Sequence, residues 1–388
     1  MNKITSVIIL ALCIGLLAVT ETKAGNPDRQ GEAGAYELLI NPWARSAGLN
    51  GLVTSSITGI EAMRFNPAGL ARTRSTEIGA SYGQYLAGTG LSTTAAGLAQ
   101  RLGKDGAIGV SLMALSFGEI SLTTTNQPEG LATFSPTFFN IGLGYGHVFR
   151  DPQTNKEKIT VGFTVRMANQ SLANASATGV CFDAGVQYYT GKHNQLKLGL
   201  ALRNIGSRMK FRGDGLSFVG VAPNGTTALA VEGRGAGFEM PSLLHIGASY
   251  DFLLPTPVDP IEEDKKADEE TDADKDKDDK SMSEVLGYRA VNRLTLMFNF
   301  TANSFSRDQF GLGLEYAFKE MFMFRIAYKY ERGMFDPLAG TASAGLTAGA
   351  TVEVPFKKNS QQRIGFDYAF EYTRIFKGTH TVGLKLTL

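Results

Sequence analysis

Cysteine is almost missing from this chain, which carries two in 388 residues. Cys13 sits inside an N-terminal apolar run and Cys181 stands alone beyond it, so no internal disulfide can hold the fold. Tryptophan occurs once, at Trp43, where packing is the expected role. The four histidines, His147, His193, His245 and His380, fall on separate segments without metal-ligand spacing, and no metal site is expected. His245, Ser249 and Asp251 share one strand face but follow each other at two- or four-residue steps, roughly 7–13 Å, too far to relay a proton. Neither enzyme activity nor a cofactor is expected. An excess of one charge is missing too, with 38 basic residues against 37 acidic ones. No basic patch is interleaved with aromatics, which excludes nucleic acid as a partner. Beyond residue 24, no run approaches the roughly 20 apolar residues that cross a bilayer as a helix.

What the chain does have is strict alternation. In its last segment Ile364, Phe366, Tyr368, Phe370 and Tyr372 alternate with Arg363, Gly365, Asp367, Ala369, Glu371 and Thr373. Val382, Leu384, Leu386 and Leu388 then alternate with Thr381, Gly383, Lys385 and Thr387. Successive strand side chains point to opposite faces, so each such strand has one greasy and one polar face. The same period runs from Thr76 onward and predicts about fourteen strands: Glu77–Tyr85, Thr93–Arg101, Ala107–Phe117, Phe138–Phe149, Lys158–Ala168, Gly179–Tyr189, Leu196–Asn204, Leu243–Phe252, Asn292–Thr301, Gln309–Phe318, Met321–Glu331, Ala344–Val354, Arg363–Arg374 and Thr379–Leu388. Charges such as Arg166, Arg203, Arg325 and Lys329 all fall on the polar face. A charged side chain on the lipid face near mid-membrane costs roughly 2–4 kcal/mol for Arg or Lys, so this placement separates lumen from lipid. The fold class expected is all-β, a transmembrane antiparallel barrel closed on itself so that every backbone group is paired. Its expected location is the cell outer membrane of a Gram-negative bacterium, with outer-membrane lipid and the barrel assembly machinery as partners.

Residues 1–24 have the parts of a secretory signal: Lys3, an apolar run from Val7 to Val19, and Thr22-Lys23-Ala24 as a cleavage site. Residues 25–75 show no alternation, and their Gly and Pro mark short helical pieces and loops. Residues 76–388 form the barrel. With the last strand ending in the periplasm, Gly118–Pro136 and Ile205–Pro241 are long extracellular connections. The link 255–288 falls on the periplasmic side. It contains eleven acids and five lysines between Glu262 and Lys280, a composition that predicts disorder. Its Asp272-x-Asp274-x-Asp276 spacing does not complete a calcium loop, because Lys277 and Ser283 stand where the turn glycine and the bidentate Glu belong.

Arg45-x-x-Gly48-x-x-Gly51 followed by Phe65-Asn66-Pro67-Ala68-Gly69-Leu70 resembles the N-terminal signature of the PorV/PorQ family of outer-membrane proteins. The second motif is also similar to the Asn-Pro-Ala box of FadL-type fatty-acid transporters. The resemblance implies that residues 25–75 are a hatch inside the lumen of a fourteen-stranded barrel, with Arg45, Gly48, Gly51, Asn66, Pro67, Ala68 and Gly69 seating it or gating a ligand. It implies a role beside type IX protein secretion, with secretion-system components or cargo proteins as partners. The alternative is a FadL-like transporter of small hydrophobic molecules. From the residues themselves, Pro67 biases Asn66 toward extended backbone, Asn66 can bond nearby backbone groups, Gly48 and Gly69 permit close approach to the wall, and Arg45 is expected to meet a lumenal acid. The ending Thr381, Gly383, Leu386, Leu388 resembles the outer-membrane assembly signal, with Leu in place of the usual terminal Phe.

Overall fold

The computed structural model describes residues 25–151, 157–191, 193–221, 225, 228–233, 235–255, 290–336, 342–356 and 362–388. The expected secretory signal over 1–24 lies outside the described residues. So does nearly all of the acidic link, over 256–289.

Each alternating segment becomes a strand. In chain order these are β1 (Thr76–Gln84), β2 (Ser92–Leu102), β3 (Gly106–Ser116), β4 (Ile120–Thr124), β5 (Gln127–Phe134), β6 (Thr137–Arg150), β7 (Glu157–Leu172), β8 (Ala175–Thr190) and β9 (Leu196–Gly206). They continue as β10 (Ser217–Val221), β11 (Ala228–Glu232), β12 (Leu243–Pro255), β13 (Ala290–Asn303), β14 (Gln309–Phe318), β15 (Phe322–Glu331), β16 (Ser343–Pro355), β17 (Arg363–Thr373) and β18 (Thr379–Thr387). Fourteen of them form a closed antiparallel barrel, in the order β1-β18-β17-β16-β15-β14-β13-β12-β9-β8-β7-β6-β3-β2. Closure is made by β1 on β18, with Glu77 opposite Thr387 and Gln84 opposite His380. The remaining four strands are two hairpins, β4-β5 and β10-β11, that stand apart from the barrel. Both lie within the long connections expected to be extracellular, where the alternation reading assigned no strands.

The two faces separate as the period requires. Leu143, Phe163, Phe182, Leu312, Phe324 and Phe366 are each more than half exposed on the outside. Thr160, Thr164, Arg166, Asp183, Arg203, Glu315, Arg325 and Asp367 are buried on the inside. A belt of large apolar side chains around a closed sheet matches a hydrocarbon solvent rather than water. None of the described helices is long and apolar enough to cross a membrane.

Most of residues 33–73 is buried in the interior, while 26–28 and 30–32 are exposed. Two short helices, α1 (Ala44–Ala47) and α2 (Ala62–Phe65), and a 3-10 turn over Pro67–Arg72 pack on the inner wall. The 3-10 turn touches β3, β6, β7 and β8, and α1 touches β1, β16, β17 and β18. Three apolar clusters result. One joins Trp43, Ile60, Met63 and Leu70 to small wall residues of β2 and β3. A second joins Leu49, Leu52, Val53, Ile57 and Phe65 to Met297 and Ala327. The third, at the end that carries the long connections, packs Leu38 against Met113, Leu115, Phe138, Cys181, Met209 and Met240.

Candidate functional site

The hatch is seated through backbone contacts that only small wall residues permit. A Cβ on Gly162 of β7 would lie 2.2 Å from the Pro67 carbonyl oxygen, and one on Gly185 of β8 would lie 2.0 Å from Asn66 Oδ1. Gly48, ending α1, meets Gly349 of β16 backbone to backbone: a Cβ on Gly48 would come within 3.0 Å of the Gly349 Cα. Gly51 has a left-handed φ of 71°, which favours glycine, and a Cβ there would lie 2.7 Å from the Phe65 ring. Gly69 corrects the sequence reading. Its close approach is to the Ile57 carbonyl, 2.1 Å from a built Cβ, so it folds the hatch on itself instead of meeting the wall.

Asn66 is the polar pivot. It is fully buried, and its Oδ1 accepts from the Ala68 amide at 3.1 Å, capping the turn that Pro67 begins. Its Nδ2 donates to the Thr54 carbonyl at 2.8 Å and to the Val186 carbonyl of β8 at 3.1 Å. One side chain therefore caps a turn, ties two parts of the hatch and bonds the wall. Glu77 and Gln187 add wall bonds that the motifs did not point to: Glu77 Oε1 accepts from the Ile60 amide at 2.8 Å, and Gln187 Nε2 donates to the Ile57 carbonyl at 2.9 Å.

Beneath the hatch, toward the end of short connections, lies an ion-pair network. Glu315 takes Arg325 Nε at 2.6 Å and Arg293 Nη2 at 3.0 Å, with Arg45 Nη2 at 3.8 Å. Arg45 also lies 3.9 Å from Glu353. The acid expected to face Arg45 is thus present as two carboxylates, at charge-pair rather than hydrogen-bond distance. Asp251 pairs with Lys197 at 2.6 Å and accepts from Thr295 Oγ1 at 2.7 Å, while His245 bonds Arg203 and Thr301. Ser249 Oγ accepts from Ser55 Oγ at 3.0 Å, so His245, Ser249 and Asp251 are engaged separately and make no relay. Among the described residues, no cluster of His, Cys, Asp and Glu has the makings of a metal site.

Above the hatch the lumen changes character. Met113, Phe138, Met209 and Met240, with Phe211 and Phe238 at their edge, make an apolar layer under the 207–242 connection. That connection reaches the N-terminal segment through paired backbone at Ala33 and Glu239. Two cavities at the hatch enclose about 10 and 20 Å³.

The closed barrel of fourteen strands superposes on solved outer-membrane channels over most of its length. The fold is that of a FadL-like outer-membrane barrel. The Pseudomonas putida toluene transporter TodX superposes with a TM-score of 0.51 at 13% identity, covering 89% of this chain and 97% of that one. A TodX mutant described as a monoaromatic hydrocarbon channel gives 0.50 at 13%, over 88% and 96%. A Pseudomonas aeruginosa FadL homologue gives 0.46 at 10%, over 89% and 98%. No family model and no curated protein matches the sequence. None of these three structures is named as a PorV or PorQ protein.

Of the residues that resemble an assembly signal, Thr381, Gly383 and Leu386 lie in β18 and Leu388 just beyond it, divided between the two faces. Thr381 and Gly383 point inward, where a Cβ on Gly383 would meet Ala44 of the hatch at 3.1 Å, and Leu388 is exposed outside.

Proposed function

We propose that this FadL-like barrel is a conduit for small hydrophobic molecules, admitted from the extracellular end and released past the hatch. The observation that carries this reading is the methionine-rich apolar layer under the 207–242 connection. A wet lumen gains nothing from burying Met113, Met209, Met240 and Phe138 against one another, whereas flexible thioethers repack readily around an apolar guest. The cavities at the hatch are far below the several hundred Å³ of a ligand pocket, so passage requires the hatch or the 207–242 connection to shift. Arg45, Gly48, Gly51, Asn66, Pro67, Ala68 and Gly69 then act as the seat of the moving part. The test is uptake of radiolabelled toluene by cells expressing the chain. Uptake above control cells, lost with Met209→Trp and Met240→Trp, supports the conduit, and uptake equal to control cells ends it.

A second reading, a PorV/PorQ-type partner of type IX secretion or of surface cargo, is favoured by one observation. The β10-β11 hairpin exposes Phe218, Val219 and Val221 at 57%, 76% and 71%, an apolar surface outside any lipid belt. Purification of the tagged chain in mild detergent tests it: secretion components or cargo retained by wild type and lost with Val219→Asp support it, and recovery of the barrel alone does not. Under either reading, the C-terminal residues Thr381, Gly383, Leu386 and Leu388 serve recognition by the assembly machinery.

A further inference from the structure

The ion pairs beneath the hatch are balanced, but a second buried cluster is not. Arg166 of β7, Asp183 of β8 and Arg203 of β9 point inward from adjacent strands, and Arg64 of α2 comes from the hatch side. All four are more than nine-tenths buried. Three guanidiniums therefore face one carboxylate. Asp183 is already engaged by Arg166: its Oδ1 takes Arg166 Nη2 and the Asn204 amide, each at 2.7 Å, and its Oδ2 lies 2.7 Å from the same Nη2. His245 brings no compensating charge. Its Nε2 lies 3.2 Å from Arg203 Nη1, and a guanidinium only donates, so Nε2 accepts and Nδ1 carries the proton toward Thr301 Oγ1 at 2.8 Å. Arg64 spends Nη2 on the Leu38 and Ile40 carbonyls.

The donors left over converge. Arg64 Nε, Arg166 Nε and Nη1, and Asn140 Nδ2 are buried without a hydrogen-bond partner among the described residues. These three residues, with Ser111, supply much of the polar lining of the cavity of about 20 Å³, whose other walls are Pro42, Trp43, Met63, Leu112 and Met113. Arg203 does not line that cavity but adds its charge from nearby, with Nε and Nη2 also unpartnered. Three dry guanidiniums sharing one carboxylate leave buried positive charge uncompensated, and an uncompensated buried charge is costly. A cavity of this size has room for about one water-sized particle, and the charge around it selects an anion.

We propose that the cavity between Arg64, Arg166 and Asn140 is the site of one small monovalent anion of halide size, which halves the excess positive charge of the cluster and fastens the hatch helix to the wall. This inference does not depend on what the barrel conducts. With free halide at roughly ten times its dissociation constant, the hatch opens about tenfold less often.

The test uses the full-length protein in detergent, exchanged into chloride, bromide or gluconate at equal ionic strength. Hydrogen exchange of hatch residues 54–73 is expected to be about tenfold slower in chloride or bromide than in gluconate, and bromide crystals are expected to show an anomalous peak between Arg64 and Arg166. Asn140→Asp supplies a fixed negative charge at the cavity. It is expected to slow exchange in gluconate and to abolish the difference between the salts. Three outcomes overturn the proposal: equal exchange in all three salts, a halide effect that survives Asn140→Asp, or stoichiometric recovery of a fatty carboxylate from the purified protein with its headgroup at this position.

Discussion

Removal of the Asn66 side chain is the sharpest test of how the hatch is held. Asn66→Ala deletes three hydrogen bonds, to the Ala68 amide and to the Thr54 and Val186 carbonyls. The Thr54 carbonyl keeps a bond from Gln187 Nε2 at 3.2 Å, so the loss is near the net value of hydrogen bonds, not the full cost of orphaned groups. At about 1 kcal/mol each, the three amount to about 3 kcal/mol, or roughly a hundredfold in the equilibrium for hatch opening. Because Asn66 takes no part in the strand ladder, heat-modifiability of the barrel on gels is expected to stay at the wild-type temperature. Hydrogen exchange of peptides from 54–73 is expected to accelerate roughly a hundredfold by the same arithmetic. Asn66→Asp separates the two roles. It keeps an acceptor for the Ala68 amide but turns a carboxylate toward two carbonyl oxygens, so it is expected to loosen the hatch at least as much as Asn66→Ala. An Asn66→Asp hatch that exchanges like wild type would refute the bridging role and leave only a turn cap.

Further outcomes follow from the same contacts. Gly162→Val drives a side chain into the Pro67 carbonyl, and the expected product is a barrel that assembles normally while protease removes the hatch. Arg325→Met takes the shortest of its ion pairs from buried Glu315 and leaves it Arg293 at 3.0 Å, so the cost is expected below the roughly 3–5 kcal/mol of a charge left wholly unpaired; the gel transition is expected to fall in temperature and to recover in part with Glu315→Gln added. Hydrogen bonds from Arg208 and Arg29 hold the Glu239 carboxyl below its ordinary value. A lowered carboxylate pKa contributes stability above the unfolded value and loses it as pH falls through the folded one. Protection of residues 27–40 against exchange, after correction for the pH dependence of intrinsic amide exchange, is therefore expected to fall below about pH 4 and to stay constant between about pH 5 and 8; constant protection down to about pH 3 would dismiss the Arg29–Glu239 clasp.

The hatch motif was legible in part. Pro67 after Asn66 announces a capped turn, and the turn is there. That Asn66 also reaches Val186 was not, because the partner is a backbone carbonyl on a strand that no local pattern connects to residue 66. Gly162 and Gly185 look like any other inward glycines until the hatch lies against them. The hairpins β4-β5 and β10-β11 escaped because their residues are exposed on both faces, so no buried stripe marks them. The Arg64, Arg166 and Arg203 cluster left only one signal, inward cations on β7 and β9 flanking a single inward acid on β8.

Sequence alone marked the segments that become barrel strands, their two faces and the polarity of each face, because side-chain direction alternates with every residue and a charge on the lipid side is too costly to keep. Only the tertiary structure decided which strands are neighbours across the seam, which glycines touch the hatch and which charges meet. Strand period carries no information about register or about what fills a lumen. Glu315, Arg293, Arg325 and Arg45 come together because barrel closure and the buried hatch bring distant segments to one point.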